Sequence, residues 1–407
     1  MSNNANALRR NSHRLAKSTI QRLLMQGTPH RGGALGNTTS LIAIATQCFS
    51  PDLGGIEILM TGLADQLSLN GLNVEVFADH VRSKRAAEIA RPYPIHRFGS
   101  IRPLRRFLKR RAISRASADE GVSGLFADSW KSVAATPANA APVVVLAHGT
   151  EFPSEASPAK ARRINAALKR ARSIVASSHY TAGLVANFMQ GVEAEIIVIN
   201  PPIAELPTAP PAALVEIDAA IAGRGPVLAT LARLEPRKGV DAILRALPLL
   251  RERHPRLVYL VAGDGADLAR LRALAAQLQV DDCVVFLGPV DDIERKAALL
   301  TRSDIYAMPS RRVGNSVEGF GISYVEAAWY GVPSVAGDDG GAADAVIDNG
   351  TGLLCDGGSD DEVRNALSRL LDDEGLRKRF GAAAAEQARA KHTWAAALPR
   401  YLAAIGR

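Results

Sequence analysis

Two carboxylates eight residues apart, Glu318 and Glu326, frame the chemically richest stretch of this 407-residue chain. The segment DIYAMPSRRVGNSVEGFGISYVEAAWYGVPSVAGDDGG, residues 304–341, reads as a strand over 305–308, a polar loop from Pro309-Ser310, and a helix whose first turn carries Glu318, Gly319, Phe320 and Gly321. Eight positions are a little over two helical turns, so a helix already formed at Glu318 turns both acids to one side. A second strand at 334–336 runs into Gly340-Gly341, and such turns at the carboxyl edge of a sheet admit a ligand. Upstream, Arg233 offers a planar fork and Lys238 a point charge five residues later, across a turn at Pro236 and beside Gly239. His148-Gly149 follows another apolar run, where an imidazole can reach a ligand hydroxyl. Acids, cations and glycine turns in this arrangement describe a ligand crevice. Each group also has a plainer reading: surface salt bridges for Arg233 and Lys238, a favourable charge at a helix N-terminus for Glu318, and a loop imidazole bonded to backbone for His148.

The elements that must position these groups alternate. Residues 41–47 form an apolar run fit for a buried parallel strand, followed by a turn at 51–55 and a helix with Ile56, Leu59, Leu63 and Leu67 on one face, then a strand at 74–78. This strand, glycine loop, helix, strand order is a Rossmann-like unit, and Gly54 and Gly55 let the backbone approach an oxygen-rich ligand unless the turn serves packing alone. Strands at 143–146, 173–176 and 196–199 and a helix at 160–172 complete the first half. In the second half, strands at 227–232, 257–262 and 284–287 lead to helices at 239–253, 266–278 and 292–301, and helices at 360–372, 374–390 and 394–405 follow the opening stretch. That rate of alternation specifies an α/β protein with parallel sheets covered on both faces. The expected division is a basic tail over 1–37, a Rossmann-like domain over 38–206 with 392–407 packed back on it, a Pro- and Ala-rich linker over 207–225, and a second domain over 226–391. Gly263-Asp264-Gly265 is an incomplete dinucleotide fingerprint, because Leu268 stands where a third glycine belongs; a tight turn is the better reading.

Composition narrows the class. Cys48, Cys283 and Cys355 are odd in number and widely spaced, which disfavours a disulfide framework or zinc site and fits a reducing cytoplasm. No apolar run approaches the roughly 20 residues of a membrane span. The net charge of +8 is uneven: residues 1–37 carry +6 and residues 81–118 carry +11, leaving −9 for the remainder. Within the second patch Leu104, Phe107, Leu108 and Ala112 keep helical spacing among Arg105, Arg106, Lys109, Arg110 and Arg111. This pattern suits peripheral attachment to an anionic membrane surface or an acidic saccharide, rather than nucleic acid; a solvated helix is the alternative.

Taken together, Glu318-x7-Glu326, the LARLEPRKG run holding Arg233 and Lys238, Gly54-Gly55-Ile56-Glu57 and His148-Gly149 resemble, in order, the signatures of retaining glycosyltransferases of family 4. The resemblance spans nearly the whole chain and implies the GT-B architecture, two Rossmann-like domains facing a cleft. It implies a retaining, metal-independent transfer of a hexose from a nucleoside-diphosphate sugar to a hydroxyl of a lipid-linked or saccharide acceptor, with no cofactor, in cell-surface polysaccharide or glycolipid biosynthesis. It assigns Arg233 and Lys238 to the diphosphate, Glu326 to the ribose, and Glu318 with the backbone of Gly319, Phe320 and Gly321 to the sugar. His148 becomes a sugar contact, Gly54, Gly55 and Glu57 border donor and acceptor, and the backbone around Gly263 and Val290 lies near the base. A nucleotide-sugar epimerase of the same architecture, or a non-catalytic membrane-surface scaffold, is the competing reading.

Overall fold

The computed structural model describes residues 40–52, 54–81, 90–119, 121–138 and 141–407. The tail over 1–37 lies outside the described residues.

The short apolar runs of the first half become strands of one parallel sheet. In chain order its elements are β1 (Leu41–Thr46), α1 (Gly55–Leu69), β2 (Val74–Asp79), β3 (Ile95–Phe98), α2 (Arg102–Asp119), β4 (Val122–Ala127), α3 (Trp130–Val133), β5 (Val143–Ala147), α4 (Pro158–Leu168), β6 (Ala171–Ala176), α5 (His179–Ala186) and β7 (Glu195–Val198). The strands lie in the order β3-β2-β1-β4-β5-β6-β7, so the winding reverses between β1 and β4. Alternation along β1 sends Ile42 and Ile44 to the face covered by α1, while Ala43 and Ala45 meet Ile113, Trp130 and Ile164 from α2, α3 and α4 on the other.

The second half repeats the plan. Its elements are α6 (Pro211–Ile221), β8 (Val227–Leu231), α7 (Val240–Arg253), β9 (Val258–Ala262), α8 (Leu268–Gln277), β10 (Val284–Gly288), α9 (Ile293–Thr301), β11 (Ile305–Met308), α10 (Ile322–Trp329), β12 (Ser334–Gly337), β13 (Gly352–Cys355), α11 (Asp360–Asp372) and α12 (Glu374–Lys391). The parallel order β10-β9-β8-β11-β12-β13 reverses between β8 and β11. In open α/β sheets ligands bind beyond the carboxyl ends of the strands at such reversals. Those ends lead here to Arg233 and Lys238 after β8, and to the loop holding Glu318 after β11.

The chain then returns to the first sheet. α13 (Trp394–Ile405) lays Trp394, Leu398, Tyr401 and Ile405 against the α1 side of it. Gly62 and Gly124 make room: a Cβ on either would overlap the Trp394 ring or the Ile405 side chain. Ser173 Oγ donates to Ala404 O at 2.7 Å, and Ile203 N donates to His392 O at 2.8 Å where the chain crosses back.

Three features depart from the sequence reading. β3 was not expected, because this four-residue edge strand contains His96 and Arg97. β4 was not expected either; its Ser123-Gly124 pair breaks the apolar pattern, and the glycine is required by Ile405. The helix expected to carry Glu318 in its first turn begins only at Ile322. Gly321 precedes it with φ 92°, a left-handed conformation that stops the helix from extending backwards, and Glu318 forms an isolated parallel bridge with Gly340 instead. Glu318 and Glu326 therefore do not share one helix.

Candidate active site

The backbone that carries Glu318 is set by close packing of glycines. Gly239, Gly337 and Gly357 crowd the carbonyls of Pro309 and Ser310, and a Cβ on any of the three would overlap them. Strand ends and loop can therefore approach only as glycines allow. Beneath the loop, Tyr324 Oη donates to Met308 O at 2.5 Å, and the Tyr306 and Tyr324 rings meet edge to face at 5.7 Å. Burial pushes the Tyr306 hydroxyl up, and the charges of Glu326 and Glu318 push it further, so both carboxylates act on the same buried ring.

Glu318 is the hub. Its Oε2 accepts from Lys238 Nζ and, at 2.9 Å, from an Arg237 guanidinium nitrogen. The side chain is 12 % exposed. Burial alone raises its carboxyl, but Lys238 and Arg237 outweigh burial and hold it below the usual carboxylate range. Glu235 accepts from Arg237 Nε at 2.9 Å, completing a cluster of two cations and two acids. Lys238 reaches it from a 3-10 turn, Pro236–Lys238, closed by Gly239 at φ 73°. Glu326, on α10, is buried and pairs with Lys296 Nζ at 2.6 Å.

The first sheet contributes at the same place. A Cβ on Gly319 would overlap the His148 carbonyl, and one on Gly149 would stand 3.4 Å from Gly319 Cα. Ser178 Oγ donates to Gly319 O at 2.7 Å. Gly55 lies against Ile322, the first residue of α10, at 3.5 Å from an added Cβ. His148 donates its backbone N–H to Glu151 Oε1 at 2.7 Å, while its ring Nε2 is buried with no hydrogen-bond partner among the described residues. A buried imidazole nitrogen without a partner is suited to a ligand hydroxyl. His148, Gly149, Gly55, Glu318 and Gly319 thus converge, with Lys238 joined through Glu318.

Other expected site residues sit differently. Arg233 does not join Lys238: its side chain is 67 % exposed, and its carboxylate contact is Glu235 at 3.9 Å. Arg237, which the sequence reading passed over, takes the inner position; only the fold could separate neighbours in PRKG, because the 3-10 turn chooses which ones face Glu318. Lys296 was missed for the same reason, lying 30 residues from its partner. Phe320 offers backbone only: its ring is buried, 5.6 Å from the His392 ring. Val290 is likewise a core side chain packed with Ala297 and Leu260. Gly263, φ 143°, is a packing turn whose Cβ would overlap Ala232 O, and its N–H bonds to Gly288 O at 2.8 Å. Glu57 folds back over Gly54, where an added Cβ would collide with its carboxylate. In α2, Lys109 is no surface group: it is buried, donating to Thr46 O and Asp79 Oδ1 at 2.7 Å each, and Arg105 joins Asp79 at 3.1 Å. Arg110 reaches Ala134 O at 2.7 Å, and Arg106 is half-buried. No helix among the described residues is long and apolar enough to cross a membrane.

Comparison with known proteins agrees with this architecture. The family model for Glycosyl transferases group 1 matches residues 217–387, and that for Glycosyltransferase Family 4 matches residues 53–205. The chain is 41 % identical over 176 residues to a GDP-mannose-dependent alpha-(1-6)-phosphatidylinositol monomannoside mannosyltransferase of Mycobacterium tuberculosis, a match covering 42 % of this chain and 45 % of that protein. It is 36 % identical over 189 residues to a D-inositol 3-phosphate glycosyltransferase of Stackebrandtia nassauensis, covering 44 % and 41 %. The chain thus matches less than half the length of these curated relatives. Among solved structures, sucrose-phosphate synthase of Thermosynechococcus elongatus superposes with a TM-score of 0.72 over 89 % of this chain and 98 % of that one, at 20 % identity, a likeness of fold.

Proposed function

From the premise that the chain belongs to glycosyltransferase family 4 and has the GT-B fold, we propose that it transfers a hexose, with retention, from a nucleoside-diphosphate sugar to a glycolipid hydroxyl. GDP-mannose is the donor and a phosphatidylinositol mannoside the acceptor class, on the strength of the mycobacterial relative. The observation that carries the reading is the convergence of Glu318 and its two cations with the His148-Gly149 turn of the opposite sheet.

Breaking a sugar–phosphate bond builds negative charge on the departing diphosphate, and fixed cations stabilise it most where it develops. Lys238 and Arg237 are held ready by Glu318 in largely buried surroundings, and Arg233, exposed beside them, is placed to turn onto a phosphate. Glu318 accepts from sugar hydroxyls, His148 Nε2 meets another, and Glu326 receives the ribose hydroxyls. The acceptor hydroxyl attacks the anomeric carbon from the leaving-group side and gives its proton to the departing phosphate, so configuration is retained. Attachment through α2 to the cytoplasmic face of the membrane belongs to the same reading, with Leu104, Phe107 and Leu108 exposed for it.

The test is turnover of GDP-mannose and UDP-glucose with a phosphatidylinositol mannoside, followed by NMR of the earliest product. A product of inverted anomeric configuration overturns retention, and isomerisation of the donor without acceptor favours the epimerase. Tight donor binding without turnover on any acceptor favours the scaffold. Lys238→Ala is expected to lower turnover by about 10²–10³.

A further inference from the structure

Helix α2 divides its surface unexpectedly. The residue before it, Ile101, and Leu104, Phe107 and Leu108 within it face solvent, whereas Arg102, Arg105, Arg106 and Lys109 line a cavity of about 470 Å³ beyond the carboxyl ends of β1 and β2. The opposite wall brings Lys131 after β4 and Lys160 and Arg163 from α4. Asp79 is the one acid in the lining, and Lys109 and Arg105 already occupy it. The remaining five cations have no carboxylate partner among the described residues. Lys131 and Arg163 rest over the Trp130 ring at 5.9 and 5.6 Å. The cavity also receives the start of α4, an 11-residue helix capped by Ser157, whose first turn favours negative charge.

Like charges drawn together around one hollow repel unless an anion sits among them. A single carboxylate would leave most of these cations unmatched. A phosphate group carries more charge and three acceptor oxygens, and it suits the guanidinium forks of Arg102, Arg106 and Arg163. Hydrogen bonds tie the cavity lining to the turn that carries His148. Trp130 Nε1 donates to Glu151 O at 3.1 Å, and the same Glu151 accepts from His148 N.

We propose that this cavity binds the phosphate of a phosphorylated acceptor and so sets which of the acceptor's hydroxyls reaches His148 and Glu318. Only the identity of the phosphate carrier as acceptor rests on the transferase reading; the anion site stands on the cavity and its charges. The carrier is a soluble phosphomonoester or a phospholipid headgroup, which share this chemistry.

The test uses the full chain with saturating GDP, so that the donor site is filled. Glycerol 3-phosphate is titrated by calorimetry, and vesicles of phosphatidylcholine with or without phosphatidylinositol are assayed by flotation. Lys160→Gln/Arg163→Gln is expected to weaken whichever probe binds by about tenfold or more, with GDP affinity unchanged. Binding of glycerol 3-phosphate identifies a soluble carrier, and binding of the phosphatidylinositol vesicles alone identifies a lipid headgroup. Binding of neither probe, or equal binding by the variant, overturns the proposal. If the wild-type protein binds neither GDP nor UDP yet binds glycerol 3-phosphate in a Lys160- and Arg163-dependent way, the transferase reading fails and the anion site stands.

Discussion

Glu318 is a carboxylate whose two roles compete, since it orders Lys238 and Arg237 before a donor arrives and must accept from the sugar afterwards. Because its folded carboxyl lies below the usual carboxylate range, its stabilising effect is full above that range and is lost as pH falls through its own depressed value. Glu318→Gln is therefore expected to destabilise the protein by about 2–4 kcal/mol at pH 7, by leaving the buried Lys238 unmatched and Arg237 with Glu235 alone. In urea titrations across pH, the gap between variant and wild type should close only below the ordinary carboxylate range. A constant gap down to acid pH would refute the ion-pair account. The types and spacing of Arg233, Lys238, Glu318 and Glu326 were legible in the sequence. Which cation turns inward was not, because the turn at Pro236–Lys238 presents Arg237 and Lys238 to Glu318 and leaves Arg233 at the surface.

At the scale of elements, α2 shows a helical pattern whose period is legible in the sequence while the positions of some of its cations come from the fold. Leu104, Phe107 and Leu108 are exposed and Ile113 enters the core, while Lys109 and Arg105 meet Asp79 and Arg102 and Arg106 line the basic cavity. Lys109 has the amine lowered chiefly by burial, against the pull of Asp79. Lys109→Met should cost about 2–3 kcal/mol, because it leaves the buried Asp79 carboxylate with Arg105 as its one remaining cation. Adding Asp79→Asn should restore part of that loss, as thermal or chemical melts of the single and double variants would reveal; strictly additive losses would exclude coupling. β4 was illegible for a related reason, since its Gly124 makes sense only against Ile405, 281 residues later.

Across the whole molecule the candidate site lies where the two sheets meet, and at its centre the contact between them, His148 O beside Gly319, is backbone against backbone. Gly319→Ala puts a methyl into the His148 carbonyl. The expected result is a fall in kcat/KM of about tenfold or more with a much smaller change in Tm, since the overlap lies at the meeting of the sheets rather than in either core. Unchanged kinetics would mean the His148–Gly319 approach is dispensable. His392, at the crossing back to the first sheet, is held neutral: burial first, then Lys391, lowers it from 6.5 to about 4. The unfolded chain takes up that proton more readily, so stability falls as pH drops from about 6.5 towards 4, by up to about 3 kcal/mol. His392→Asn should flatten this slope in denaturant midpoints measured at pH 7 and pH 5.

Hydrophobic periodicity and glycine placement, being local, were enough to determine an α/β chain of two Rossmann-like halves and the residue types that a candidate ligand site would draw on. Tertiary structure alone decided where the α10 helix starts, that Arg237 and Lys296 are partners of Glu318 and Glu326, and that Lys109 and Arg105 of α2 turn inward onto Asp79. Those outcomes depend on which side chains from distant strands fill the same space, and no local pattern encodes that.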